Sequence, residues 1–230
     1  MKMAWKAGIV SVAAVCVLSV GAQAVIELHW AGLGSGIGGY YNAPPTSGVG
    51  YGLDGYHGYW SCEIAFDPVS GIPGIADGSS LITFCLEWNE PTIGENDFYA
   101  ALNTGAVKGG IGGQTLPDFD PLSDTSAWLF DQYLDGNTFG IADVNRRAAV
   151  AQEAIWSYED ELDPGWSLYA ETAGVKALAD AAVSGGWTNQ NIRVLNMTWQ
   201  SDGREAQDVL VRIPEPATLV VLTLGGLLLR

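Results

Sequence analysis

Gln152 is the residue whose position most needs an explanation. It lies in residues 141–159, IADVNRRAAVAQEAIWSYE, which read as the best helix in the chain. Asp143 is an N-cap candidate, and Ala, Arg, Gln and Glu supply helix propensity. Apolar positions recur at Val144, Ala148, Ala151, Ile155 and Trp156, and Gln152 falls on their face. A primary amide aimed into an apolar side must find hydrogen-bond partners or cost roughly 1–3 kcal/mol. It either bridges to a neighbouring strand or is there to react. The other reactive side chains are cysteines. Cys16 sits in an N-terminal segment expected to be removed, which leaves Cys62 and Cys85. In an oxidising compartment the simple structural reading is one disulfide between them, worth about 2–4 kcal/mol.

Residues 81–87, LITFCLE, read as a strand with Cys85 near its end. A Phe-Cys-Leu-Glu strand followed by a helix carrying Gln152, Ala154, Ile155 and Trp156 resembles the thioester domains of bacterial surface adhesins. The chain departs from that pattern at Ala151, where Thr is common, and in its short Cys85-to-Gln152 interval. The resemblance implies an internal thioester between Cys85 and Gln152, formed with loss of ammonia, and covalent capture of a surface polysaccharide or protein nucleophile. The thioester and the Cys62–Cys85 disulfide are alternatives, because both use Cys85.

These residues need a scaffold. A chain of 230 residues suits one domain, with a core large enough to fold unaided. Acidic residues outnumber basic ones 26 to 10, a field that excludes a nucleic-acid partner. Thirty glycines with nine Trp and nine Tyr suit an exported β-rich protein. Strands are expected at residues 25–30, 60–66, 81–88, 98–102, 191–199 and 207–213, the last two as a closing hairpin. Residues 67–79 and 108–117 read as connectors. Helices are expected at 124–134, capped by Thr125 or Ser126, at 141–159, and at 167–183 before Gly185 and Gly186. The expected fold class is α+β. It has an antiparallel sandwich or barrel-like core with an inserted three-helix segment, between a signal peptide and a C-terminal hydrophobic helix.

Residues 1–24 read as a secretory signal. Lys2 and Lys6 precede an apolar run, and Ala22 and Ala24 make an A-x-A cleavage site for signal peptidase. At the other end, Pro214-Glu215-Pro216 precedes an uncharged stretch, residues 217–229, and then Arg230. This tail resembles the PEP-CTERM sorting signal, which implies an exosortase-type processing enzyme as partner. Proline stops the preceding strand, the apolar run inserts transiently in the membrane, and the cation stays on the cytoplasmic side. The expected units are therefore 1–24, an exported domain 25–213, and the tail 214–230. The product belongs at the cell surface or in the extracellular matrix.

Other chemistry is weakly signalled. His29 and His57 are the two histidines, and no G-x-S-x-G or H-E-x-x-H occurs, so no catalytic residues are assigned and the chain reads as a non-enzyme. A glycosidase would need two close, buried carboxylates in a cleft. Gly34, Gly36 and Gly39 match a dinucleotide fingerprint, but no βαβ unit surrounds them, and no cofactor is expected. The acidic groups Asp118, Asp120 and Asp124, and Glu159, Asp160, Glu161 and Asp163, lack calcium-loop spacing. They read as solvated loops, and no metal is expected; Glu87, Glu90 and Glu95 either orient a reacting amide or, as the simpler reading, form a solvated strand end.

Overall fold

The computed structural model describes residues 25–33, 63–87, 97–107, 119–162 and 168–214. Within them, six strands form one antiparallel sheet: β1 (Ile26–Leu33), β2 (Ile64–Ser70), β3 (Ser79–Thr83), β4 (Asp97–Asn103), β7 (Ile192–Trp199) and β8 (Val209–Arg212). Their order is β3-β2-β1-β4-β7-β8. Two short strands, β5 (Gly105–Ala106) and β6 (Asp120–Pro121), pair beside it. Three helices, α1 (Asp124–Leu134), α2 (Val144–Tyr158) and α3 (Thr172–Ser184), stand between β6 and β7. The fold is α+β, with the helices inserted as the sequence indicates.

The sheet curls until its two ends nearly meet. Beyond β3, Cys85 bridges Val209 in antiparallel sense. The Leu210 N–H donates to the Phe84 carbonyl at 3.1 Å, and the Leu86 N–H to the Asp208 carbonyl at 2.8 Å. A barrel-like sheet is closed along this seam. Its two faces bury different cores. Phe84, Leu86, Ile192, Val194 and Leu210 pack with the helices. Leu28, Phe66, Phe98, Leu195, Met197, Val209 and Val211 pack on the opposite side. The period-2 alternation of β7 and β8 generates both faces from one strand pair.

The helix α2 is held from both ends. Asp143 caps it, its side chain accepting from the Arg146 N–H at 2.8 Å. Every residue from Ala148 to Trp156 is buried. Val144, expected to face inward, is 47 % exposed, because the first turn precedes the contact with α1 and the sheet. The cap of α1 is Ser123, accepting from the Ser126 N–H, rather than Thr125 or Ser126. The first turn of α3 starts at Thr172, five residues later than its alanine-rich composition suggests. The strand β2 runs on to Ser70, so the turn after it is confined to the following residues. There Gly71, at φ +73°, leaves a Cβ only 2.3 Å from the Val25 carbonyl oxygen, which excludes any other residue.

Among the described residues no helix is long and apolar enough to cross a membrane. The signal segment with Ala22 and Ala24, the tail from Glu215 to Arg230, Cys62, His57, Gly34, Gly36, Gly39 and Trp166 lie outside the described residues.

Candidate functional site

The seam positions the site. Along an extended chain, main-chain groups point alternately to the two sides. Phe84 and Leu86 use theirs on β8, so Cys85 presents its own N–H and C=O to the other side. The amide of Gln152 meets them there. The Cys85 N–H donates to Gln152 Oε1 at 2.8 Å, and Gln152 Nε2 donates to the Cys85 carbonyl at 2.7 Å. The pair is the side-chain equivalent of one antiparallel residue pair, made across 67 positions of sequence.

Gln152 is fully buried and Cys85 half-buried. The strand expected at residues 81–88 is therefore two pieces, β3 and the single bridge at Cys85, and the break puts Cys85 against α2 instead of a continuous partner strand. The amide carbon of Gln152 lies across from the Cα of Cys85, because its oxygen and nitrogen straddle that residue. The Cys85 side chain packs with the interior cluster, alongside its bridge partner Val209. That cluster lies on the face of the sheet opposite the one that packs with the helices.

Polar groups surround the seam. The side chain of Gln207 donates to the carbonyl of Glu87. Glu87, expected to be solvated, is 2 % exposed, because the strand end tucks under the residues preceding β8. The Asp208 carboxylate accepts from the Val107 N–H at 2.8 Å and from Asn196 Nδ2 at 2.7 Å. Glu90 and Glu95 lie outside the described residues.

Three carboxylates form a second enclosed group that sequence polarity concealed. Asp120, Glu159 and Glu161 are buried rather than solvated, because α2 ends against the loop entering α1. The Ser123 hydroxyl donates to Glu159 Oε1 at 2.6 Å. Burial pushes Glu159 up to about 7, against the lowering bonds of Ser123 and Ser126, and the charge of Asp120 adds to the rise. Burial, then the charges of Glu161 and Asp160, push Asp120 up to about 6. Among the described residues no three His, Cys, Asp or Glu side chains converge as metal ligands. A further pair, buried Glu63 with the hydroxyl of half-buried Tyr133, fastens the start of β2 to α1, and desolvation raises the Glu63 carboxyl. The approach of Asp120 to Glu159 and Glu161, and that of Glu63 to Tyr133, were not visible in sequence, since each joins two different elements. His29 pairs with Asp97 at the surface, at 2.9 Å.

Comparison of the chain with protein-family models, with curated proteins and with solved structures gives no match.

Proposed function

We propose that this is an exported surface or matrix protein that attaches covalently to a partner through an internal Cys85–Gln152 thioester. The observation that carries the covalent part is the pairing of the Gln152 amide with the Cys85 main chain. The terminal sequences carry the export part. In the reaction, Cys85 Sγ adds to Gln152 Cδ, the S–C bond forms, the C–N bond breaks, and the thiol proton leaves with ammonia. An amine on the partner then adds to the same carbon. Its N–C bond replaces the S–C bond, and a proton from the amine returns to Cys85 sulfur. The tether is made once and is not turned over.

A second reading is a non-covalent surface or biofilm protein stapled by a Cys62–Cys85 disulfide. It is favoured by the pairing of Ile64 with Thr83, which brings the start of β2 beside the end of β3; Cys62 itself lies outside the described residues. There Gln152 would serve only to complete the seam.

Labelling with a biotin-bearing primary amine separates the two. The thioester reading expects a denaturation-resistant adduct that peptide mapping places on Gln152 and that Cys85→Ala abolishes. An absence of label on the natural sequence, or label that survives Cys85→Ala, would contradict it.

A further inference from the structure

We infer that the main-chain N–H and C=O of Cys85 are themselves catalytic groups for the acyl transfer at Gln152. The inference rests on the thioester reading and specifies how its barrier is lowered. The N–H stands 2.8 Å from Oε1, the atom that gathers negative charge when sulfur adds to Cδ. Donors 2.7–3.1 Å from the place an oxyanion will occupy make an oxyanion hole; the distance here is to the ground-state oxygen, which stays bonded to Cδ and beside this N–H as the carbon turns tetrahedral. The C=O stands 2.7 Å from Nε2, the atom that gains a proton and departs as ammonia. A carbonyl oxygen there accepts from the increasingly acidic N–H bonds of the leaving group. By reversal of the path, an incoming amine enters where ammonia left and offers its own N–H to the same oxygen. One residue thus supplies the nucleophile, the oxyanion donor and the leaving-group acceptor.

The aim of these groups is fixed before any reaction. Phe84 and Leu86 are pinned to β8 and the residue before it by the bonds to Leu210 and Asp208, and their alternation turns the Cys85 groups toward α2. Gln152 is fully buried, so the N–H bond to its carbonyl acts without competition from water. No side chain has to reorganise to create the hole, which is the condition under which such a donor is worth most.

The test replaces Cys85 by its α-hydroxy counterpart in cell-free translation, which exchanges N–H for oxygen and keeps the thiol. The rate of methylamine incorporation into the natural full chain is the reference. The expected result is a rate about 100-fold lower, the size typical of losing one oxyanion donor. A rate within a few-fold of the reference overturns the inference. If that chain does not fold, hydrogen-bond scalar coupling is measured in the isotope-labelled natural protein after ammonia has been lost. Coupling between the Cys85 amide nitrogen and the Gln152 Cδ is expected, and its absence in the thioester form overturns the inference. A natural chain that loses no ammonia brings down the thioester reading beneath it, an outcome distinct from a thioester that forms without the Cys85 N–H bond.

Discussion

The Gln152 side chain is paired edge to edge with the main chain of Cys85, Oε1 at 2.8 Å from N and Nε2 at 2.7 Å from O. The pair ties α2 to the seam where the barrel closes. Compared within Cys85→Ala, which keeps the main-chain groups and cannot form a thioester, Gln152→Leu removes both bonds in a fully buried setting and should lower unfolding free energy by about 1–3 kcal/mol. Gln152→Glu keeps an acceptor for the Cys85 N–H but loses the donor and buries a charge. Its stability loss should be larger at about pH 8 than at about pH 4, where the carboxyl takes a proton. Urea unfolding measures both; unchanged midpoints would deny the pair its role.

How much of this was legible in the sequence depends on range. Helical spacing put Gln152 on the buried face of α2 and residue type put Asp143 at its cap, and both stand there. The interruption of the strand before Cys85 was not legible, since what breaks it is pairing with β8 more than a hundred residues later. The same holds for Ser123, which caps α1 while its hydroxyl reaches Glu159. Acidic residues written next to one another read as solvated. Only the packing of the end of α2 on the loop before α1 shows that Asp120, Glu159 and Glu161 are enclosed.

That enclosure has a pH signature. The folded Glu159 carboxyl titrates at about 7, above its ordinary 4.5, so the folded state holds the proton more tightly than the unfolded chain. The associated stability is fully present below about pH 4.5 and is lost as pH rises through about 7. The loss should be on the order of 2–3 kcal/mol between about pH 5 and about pH 8. Glu159→Gln should flatten the profile by keeping a neutral group beside Ser123. A profile rising toward pH 8 in the natural protein would contradict the assignment.

Asp143 contributes locally. Its side chain accepts from the Arg146 N–H at the start of α2. Asp143→Ala should cost about 1 kcal/mol without unfolding the protein, because the rest of the helix is held by packing. A shift in urea midpoint with an unchanged slope is the expected observation.

The sorting proposal makes its own prediction. Replacing Pro214, Glu215 and Pro216 with alanines should leave the tail attached and the protein in the membrane fraction of a host that has an exosortase-type enzyme. Release of the altered protein to the surface at the natural rate would show that this motif does not direct processing.

Intact mass of the exported domain, residues 25–213, before and after methylamine tests the central claim most directly. The thioester account predicts a mass lower than calculated by one ammonia, replaced after treatment by a gain of one methylamine relative to the thioester form, located on Gln152. A mass lower by only two hydrogens, insensitive to methylamine and restored by reductant, would contradict it and identify a Cys62–Cys85 disulfide instead.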